Sequence, residues 1–496
     1  MERSIATDLS RPVPRSGRRD VSGTVRGAID QISPAHIGLF FVILALGIYV
    51  FSNPARLGWY DHFVWQADAF LHGRFVIAWP VASGPHVNAY FQDVMPLPSE
   101  PGSPSYGLLP FPPLPAVLLM PFVAIFGLAT DDQLLGAILG AINVGLAWRM
   151  VSRLTERNSV AVLATLFFAF GTVHWYAAML STTWFLAHLV ALTFVLLGIT
   201  LALDADRREQ LRGTLARLTA KSDSSPDDRH EVVATIEESS LFLAWSRRIR
   251  AHVDGMQFVA GFVFGIAALA RLPAIFGAPF FIFVGGGGSY WRRAFSAGLG
   301  AVIPVGVLLI YNLAATGHLF NPAYEWLFQT EYLGYLPPGM EINRDWGIED
   351  PRFIPMNSLI MFLWPPEIAP LGTDCGLSVL NPECPVLRPS PIGMSILLTS
   401  PAYLLALPLA LLAWRERLVM GSLLAVAAIA LLNLAHFSQG WVQFGYRFSN
   451  DFVPFALILV TLAIARFGVR WWTVALVAAS IVINAWGVYW GVTLGW

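Results

Sequence analysis

Apolar stretches of about twenty residues recur along this chain, and helical segments of that length can cross the hydrocarbon core of a bilayer. No other feature of the sequence limits the fold as strongly. Hydrophobic residues make up 56% of the 496 residues and charged residues 13%, which is incompatible with an ordinary soluble fold of this length. The net charge of −1 gives no indication of a nucleic-acid partner. The sequence therefore predicts an all-α integral membrane protein.

Hydropathy locates the spans, of which we expect about eleven. The clear candidates begin near His36, Gln133, Val160, Thr183, Phe295, Gly393, Leu418, Asn450 and Trp472. Two shorter candidates begin near Phe258 and Pro273 and are separated by the sequence ARLP. We expect the apolar segment 111–127 to lie in the interface instead, because the arginine-bearing loops then share one side with the N-terminus. That arrangement obeys the positive-inside rule and places the C-terminus outside.

This topology divides the chain into a cytoplasmic tail, 1–34, which we expect to be disordered, and a transmembrane domain, 35–496. The insertion 204–255 lies inside, and its pattern predicts two amphipathic helices. Two long segments, 53–132 and 315–392, face outward, and the second carries nine acidic residues but only three arginines. We therefore expect a multi-pass protein of the plasma or inner membrane with its functional surface on the extracytoplasmic side.

Cysteine usage agrees with this topology. The chain has two cysteines, Cys375 and Cys384, and both fall in the second outer segment. An extracytoplasmic compartment is oxidising, which favours a disulfide between them. A zinc site would need more ligands than this pair supplies.

The sequence just after the first span, WYDHFVWQADAFLHGRF at 59–75, interleaves charged and aromatic residues. At about 100° per residue, apolar side chains fill one arc of a helix and polar ones the opposite arc. We expect an amphipathic helix along the outer membrane surface, with Asp61 and Asp68 on the same side. The simplest interpretation of the polar arc is a solvated face. The number of titratable groups on it, and further charged groups on the same side of the membrane (Asp93, Arg271 and 446–451), favour a functional site.

Two arginines stand at predicted outer helix ends. Arg271 lies where two half-length apolar segments meet, and Arg447 precedes a span in the sequence WVQFGYRFSNDFVPF. An arginine within a membrane needs an anionic partner or water. Arg271 can instead extend to lipid headgroups, and Arg447 can pair with Asp451 one helical turn away. Two arginines facing an otherwise acidic loop nevertheless indicate a bound phosphate.

The order of these features resembles the GT-C superfamily of membrane glycosyltransferases. GIAALARLP is similar to the family's G-A-L-[RK]-P hairpin, and GYRFSNDFVPF is similar to its G-x-R-Y-x-x-x-x-x-P-F stretch. PFPPLPAVLLMPFVAIFG resembles the proline-rich juxtamembrane segment, and IYNLAATGHLFNPAYEW resembles the end of a family span. NSLIMFLWPPE and SILLTSPAYLLALP are similar to the second outer loop and the span after it. In this order the motifs cover nearly the whole chain, from 36 to 466.

The resemblance implies a GT-C-like fold with juxtamembrane amphipathic helices in the first outer loop, and a mannosyltransferase-like activity. Such enzymes take a hexosyl or pentosyl group from a polyprenyl-phosphate donor. They pass it to a glycan, lipid or protein acceptor on the extracytoplasmic face. The acceptor hydroxyl attacks the anomeric carbon of the sugar while polyprenyl phosphate leaves.

The resemblance also implies roles for individual residues. Asp61 is the expected catalytic base, and Arg271 and Arg447 are expected to bind the donor phosphate. The residues expected to contact substrate are Asp68, His62, Asp93, His86, Tyr446 and Asn450. Unlike family members, the chain has no adjacent acidic pair directly after the first span, so the base stays open between Asp61, Asp68 and Asp93.

Three alternatives stay open. A divalent cation, Mg²⁺ or Mn²⁺, held by Asp61 and Asp93 fits the preference of such ions for oxygen ligands. A multi-pass transporter would also contain broken helices and intramembrane charge, but we find no matching interrupted segment in the other half of the chain. A non-catalytic binder of lipid-linked sugars would keep the same residues, and replacing Asp61 separates it from an enzyme.

Overall fold

The computed structural model describes residues 32–55, 60–78, 93–98, 105–222, 252–330, 343–368, 378–382, 385–438, 440 and 442–495, with backbone alone for 215–222. Four predictions therefore fall outside the described residues. They are the tail before residue 32, the substrate contact of His86, the second helix of the insertion, and the disulfide between Cys375 and Cys384.

The described part of the chain is mostly helical. Seven of its helices are long and apolar enough to cross a membrane. These seven are α1 (Pro34–Ser52), α4 (Asp132–Val151), α7 (Thr183–Ser222), α10 (Tyr290–Thr316), α15 (Arg417–Ala435), α16 (Ser449–Phe467) and α17 (Trp471–Leu494). An eighth candidate is a pair of helices, α5 (Asn158–Phe170) and α6 (His174–Leu180), joined at a bend of 50°. The expectation of a helical membrane protein is thus confirmed.

The remaining helices are shorter. They are α2 (His62–Leu71), α3 (Leu114–Phe126), α8 (Gly255–Ile266), α9 (Phe280–Phe283), α11 (Ala323–Thr330), α12 (Ile354–Phe362), α13 (Ile396–Thr399) and α14 (Ala406–Ala413). Short 3-10 turns cover Gly127–Ala129, Ala267–Leu269, Leu272–Gly277, Arg344–Trp346, Pro351–Phe353 and Pro401–Leu405. A count of about eleven spans would require the bent pair and three shorter apolar segments, 255–269, 272–283 and 401–413, to cross as well. That count stays a prediction.

The interior of the fold is built around α16. Every residue from Ser449 to Ala465 in this helix is buried. By contrast, α1 and α10 bury 22% and 28% of their most apolar windows, so most of their surface faces outward, as expected of helices in contact with lipid. The polar end of α16, which begins at Ser449, therefore lies deep in the protein.

Small residues allow α8 and α10 to pack closely. A Cβ added at Gly261 would lie 2.0 Å from the carbonyl oxygen of Ala297, and one at Gly300 would lie 2.1 Å from that of Phe258. Close backbone approach through small residues is a common way for helices to associate in a membrane. This contact holds α10 against the segment that leads to Arg271.

Within the described part of the chain, two small antiparallel sheets occur between helices. The first contains β1 (Ile77–Ala78), β2 (Met95–Pro96) and β3 (Tyr106–Leu108) in the order β1-β3-β2, with Ile77 opposite Gly107 and Met95 opposite Leu108. The second pairs β4 (Glu367–Ile368) with β5 (Leu387–Arg388). A Cβ at Gly107 would lie 2.3 Å from Val94, so glycine is needed where the strands meet. The first sheet fixes the backbone directly after Asp93.

The helix predicted after the first span forms as α2, but its environment differs from the prediction. Residues from His62 to Ala67 are all buried, including those of the predicted polar arc. Gln66 donates a hydrogen bond to the hydroxyl of Tyr311 (3.0 Å), and Phe63 packs on Phe111. The interpretation of the polar arc as a solvated face is therefore wrong for its first half, which α3, α10 and neighbouring segments cover, whereas Asp68 and His72 at the end of the helix stay partly exposed.

The insertion and the proline-rich segment also take definite forms. The helix α7 continues without a break from its apolar part to Ser222, so the first half of the predicted insertion extends a spanning helix. Residues 223–251, which include the second predicted helix of the insertion, lie outside the described part. The segment 111–127 forms α3, which has 13 residues and a largely exposed apolar face. A helix of that length covers about 20 Å, which is less than a bilayer core.

Candidate active site

The N-terminal end of α7 connects the elements that carry the predicted site residues. The hydroxyl of Thr183 donates to the carbonyl oxygen of Tyr60 (2.7 Å) and lies 2.8 Å from Nδ1 of His62. The next residue, Trp184, packs edge-on against Tyr60 at 5.1 Å and donates its indole N–H to Oδ2 of Asp93 (2.8 Å). Through these two residues, the start of α2 and the loop that contains Asp93 meet at one helix end.

Asp61 is buried at the N-terminus of α2. Its side chain is 3% exposed, and its carbonyl oxygen accepts the first helical hydrogen bond, from the backbone N–H of Trp65 (3.0 Å). Burial, with repulsion from Asp131, raises the pKa of Asp61 to about 7. A carboxyl group with such a pKa can accept and release a proton near neutral pH.

Two further carboxylates, Asp131 and Asp132, interact electrostatically with Asp61. Asp131 caps α4 by accepting the backbone N–H of Leu134 (2.8 Å). Asp132 is 4% exposed, and its Oδ2 has no hydrogen-bond partner among the described residues. Like charges brought together in a buried place favour a shared proton. We call Asp61, Asp131 and Asp132 the carboxylate cluster.

Asp93 combines burial with an unusual backbone. Its φ angle is +56°, in the left-handed region that non-glycine residues rarely adopt. Burial raises the pKa of Asp93 to about 6, while the hydrogen bond from Trp184 and the charge of Arg447 lower it in part. Strained backbone conformations are concentrated at functional sites, where the surrounding structure holds them in place.

Arg271 is anchored by a buried ion pair. Its Nε and Nη2 atoms donate to Oδ1 and Oδ2 of Asp451 at 2.7 and 2.9 Å. Nδ1 of His188 lies 2.9 Å from Oδ1 of the same carboxylate, and Asn433 donates to Oδ2 (3.3 Å). The alternative pairing of Arg447 with Asp451 is therefore wrong, since the carboxylate is bound by residues from other segments of the chain. The alternative that Arg271 only extends to headgroups is wrong for the same reason.

Arg447 directly precedes Phe448 in the sequence and lies close to the ion pair of Arg271 and Asp451. The guanidinium carbons of Arg271 and Arg447 are each 5.4 Å from the centroid of the Phe448 ring. The guanidinium of Arg447 is also 5.7 Å from the Trp184 ring. A Cβ at Gly440, whose φ is +94°, would lie 2.7 Å from Nε of Arg447, so glycine makes room for this side chain. The structure therefore brings the two predicted phosphate-binding arginines together.

Several buried polar atoms near these arginines have no hydrogen-bond partner among the described residues. They are both side-chain atoms of Asn450, the hydroxyls of Tyr446 and Tyr176, and Nε2 of His188. Burial raises the pKa of the Tyr446 hydroxyl, with a further increase from Asp451. Because nearly all buried polar groups in proteins are hydrogen-bonded, a group of such atoms indicates a place where a polar molecule binds.

The structure separates Asp68 from the rest of the site. Its side chain is 30% exposed and lies 3.6 Å from His72 and 4.0 Å from Arg74. Asp61, His62, Asp93, Arg271, Arg447, Tyr446 and Asn450 are instead buried or nearly so around α7 and α16. Asp68 is thus the one described member of the predicted set that belongs to the surface.

The predicted cation ligands, Asp61 and Asp93, have different partners. Asp61 interacts with Asp131 and Asp132, whereas Asp93 is hydrogen-bonded to Trp184. Within the described ranges, no three His, Cys, Asp or Glu side chains are arranged to hold a metal ion. The cation stays a prediction.

Sequence reasoning missed several members of this site. Asp131 and Asp132 form an adjacent acidic pair at the end of the first outer segment, whereas a pair was expected at its beginning. His188 and Trp184 lie in or next to an apolar run, where a single polar residue gives little signal. An adjacent acidic pair placed directly before a span could have been recognised from sequence.

Comparisons of the chain with known protein families, with curated proteins and with solved structures found no match. The case for a function therefore depends on the residues themselves.

Proposed function

We propose that this protein is a GT-C-type glycosyltransferase. It transfers a sugar from a polyprenyl-phosphate donor to a glycan, lipid or protein acceptor on the extracytoplasmic face of the membrane. The observation that carries the proposal is the convergence of Arg271 and Arg447 on Phe448, with Arg447 close enough to Asp93 to lower its pKa in part. Asp61, whose pKa burial raises to about 7, directly follows Tyr60, which Thr183 and Trp184 contact at the start of α7. Group transfer from a phosphate carrier needs both features.

The carboxylate cluster suits the role of a general base. In the proposed reaction the acceptor hydroxyl gives its proton to Asp61 as its oxygen bonds to the anomeric carbon. The bond from that carbon to the phosphate oxygen breaks, and the electron pair leaves with polyprenyl phosphate. A base with a pKa of about 7 is well matched to physiological pH, because it is partly ionised and still basic enough to take the proton. Asp93, with a pKa of about 6, is the second candidate for this role.

The two arginines suit the leaving phosphate, but they differ in their environment. Asp451 balances the charge of Arg271 and fixes its orientation, with Nη1 left over from the two-point contact. Arg447 lies in an aromatic enclosure of Trp184, Phe185 and Phe448. Guanidinium groups held in this way bind phosphate oxygens through charge-assisted hydrogen bonds. We therefore assign most of the leaving-group stabilisation to Arg447.

The test is a transfer assay in membranes with a polyprenyl-phosphate sugar, comparing the wild type with Asp61→Asn. This change keeps the shape of the side chain and removes the base, so transfer should fall by about 10²–10⁴-fold. Asp68→Asn is the matched control, since it removes a carboxylate from the exposed side of the same helix and should leave transfer nearly unchanged. Full transfer by Asp61→Asn would reject Asp61 as the base. Failure of the wild type with every donor tested would reject the enzyme.

A transporter is the second candidate, and one observation favours it. Arg271 stands at a helix break, and its ion pair with Asp451 and His188 is buried next to spanning helices, which is typical of transporter substrate sites. The two functions differ in their product. A transporter would move a solute across a vesicle membrane without forming a new glycosidic bond, which counterflow measurements on reconstituted protein would detect.

A further inference from the structure

A second charged region lies at the opposite ends of the spanning helices. It surrounds a cavity of about 60 Å³ between the turn after α4, the middle of α7, the end of α9, the start of α15 and the last turns of α16. Leu462 and Ala465 line it, whereas Asp451 of the candidate active site is in the first turn of the same helix. The cavity is several times larger than the roughly 10–15 Å³ that one water molecule needs.

Three arginines line this cavity: Arg153, Arg207 and Arg417. Nε of Arg153 donates to Asp204 (2.7 Å), and Nη2 of Arg417 donates to Asp206 (2.9 Å). We call these five residues the Arg417 cluster. Its two carboxylates are thus already bound, and Asp206 also accepts a hydrogen bond from Gln210 (2.8 Å).

Arg207 leaves the lining with excess positive charge. Its hydrogen bond goes to a neutral acceptor, the carbonyl oxygen of Arg153 (2.7 Å), and within the described residues it has no carboxylate partner. The guanidiniums of Arg153 and Arg417 also keep N–H groups beyond those used in their pairs. The polar side of the cavity therefore suits an anion.

The rest of the lining is apolar. Leu203, Phe283 and Leu462 form part of the wall. A free inorganic anion would gain nothing from these side chains, whereas a molecule with a charged head and hydrocarbon chains would contact both parts of the lining. The cavity also lies where α4 ends and α15 begins, which is the depth at which lipid headgroups meet spanning helices.

We propose that this cavity binds the phosphate group of an anionic phospholipid. The guanidinium groups of the Arg417 cluster contact the phosphate oxygens, and the hydrocarbon chains lie against the apolar wall. If the arginine-rich side is cytoplasmic, as the positive-inside rule predicts, the lipid comes from the inner leaflet. This lipid site does not depend on the proposed glycosyl transfer, and a separate experiment tests it.

The experiment is native mass spectrometry of the purified full-length chain in detergent, titrated with phosphatidylglycerol or, in a second series, with phosphatidylcholine. The wild type should bind one phosphatidylglycerol more tightly than any phosphatidylcholine. Arg207→Gln should weaken that binding by about fivefold, as expected for one cation near a lipid phosphate. We choose Arg207 because, within the described residues, it is bonded to a backbone oxygen and not to a carboxylate, so the fold does not depend on its charge.

Arg208→Gln is the matched control. Arg208 is the next residue on the same helix, is equally exposed, and contacts Met256 instead of the cavity. The Arg208→Gln variant should bind phosphatidylglycerol as the wild type does. The Arg207→Lys variant should retain most of that binding. Equal losses in Arg207→Gln and Arg208→Gln would indicate general surface attraction and overturn the proposal. Equal binding of the two lipids would also overturn it, as would strong competition by inorganic phosphate with no preference for the lipid.

Discussion

The carboxylate cluster and the Arg417 cluster both contain aspartates and lie at opposite ends of the spanning helices, but the aspartates are paired with arginines only in the Arg417 cluster. In the Arg417 cluster, Arg153 is paired with Asp204 and Arg417 with Asp206, and all four side chains are 14–29% exposed. In the carboxylate cluster, Asp61 and Asp132 are less than 5% exposed and lie beside another carboxylate.

The comparison distinguishes charged residues that hold helices together from charged residues that are suited to proton transfer. A pair that is matched and partly hydrated joins neighbouring helices at little electrostatic cost. Like charges gathered in a buried place destabilise the fold, and their cost is tolerated where a proton must move. The ion pair of Arg271 and Asp451 is intermediate, since it is buried at the candidate active site but fully matched.

The largest effect should come from breaking that buried pair. Arg271→Met leaves the Asp451 carboxylate, which is 1% exposed, without its main counter-charge. We expect a loss of about 3–5 kcal/mol in the free energy of unfolding, as for other buried pairs that lose one partner. Thermal unfolding in detergent measures it. The double variant Arg271→Met/Asp451→Asn should recover part of the loss, and a double variant less stable than the single one would show that the pair is not the cause.

The next effect concerns the donor phosphate. Arg447→Ala removes a guanidinium from the enclosure around Phe448, and kcat/KM for the polyprenyl-phosphate sugar should fall by roughly 10–150-fold, which corresponds to about 1.5–3 kcal/mol. Arg447→Lys keeps the charge but not the planar geometry, so its kcat/KM should lie between those of the wild type and Arg447→Ala. Unchanged kinetics in a folded Arg447→Ala protein would remove this residue from the site.

A smaller effect is expected in the Arg417 cluster. Arg417→Gln loses contacts to Asp206 and to the carbonyl oxygen of Phe283, but water reaches this position and solvates the remaining carboxylate. We expect a loss of about 1–2 kcal/mol in unfolding free energy, with transfer activity retained. A loss as large as that of Arg271→Met would contradict the distinction between the two ends.

The smallest effect should come from the half-exposed pair of Arg388 and Glu367. Arg388 donates to Glu367 across the second sheet (2.7 Å), and their side chains are 50% and 35% exposed. Arg388→Gln should change the free energy of unfolding by less than about 1 kcal/mol, in the same detergent assay. A larger change would mean that the segment around this sheet contributes more to stability than its exposure indicates.

The sequence predicts the long elements well, because their signal is local. Spans expected near Gln133, Thr183 and Leu418 begin at Asp132, Thr183 and Arg417, since twenty apolar residues in a row leave few alternatives. Arg271 and Arg447 could also be singled out, because a charge beside an apolar segment is conspicuous.

The site's internal contacts could not be predicted in the same way. Asp451 binds Arg271, which is 180 residues away, and not the arginine one helical turn before it. The burial of α2 depends on Tyr311 and Phe111, which no local pattern connects with it. Periodicity indicates which residues share a face, but the packing of distant segments decides whether that face meets water or protein.

We expect Asp61 to act as a base whose pKa is raised first by burial and then by the charge of Asp131. The most direct test is the pH dependence of kcat/KM for sugar transfer in the wild type and in Asp131→Asn, in which asparagine can still cap α4. Because the ionised carboxylate is the active form and burial raises the pKa of Asp61 to about 7, wild-type activity should rise with pH through a midpoint near that value. Removing the charge of Asp131 should move the midpoint to lower pH. A wild-type profile without a midpoint in this range, or one that Asp131→Asn leaves in place, would contradict the account.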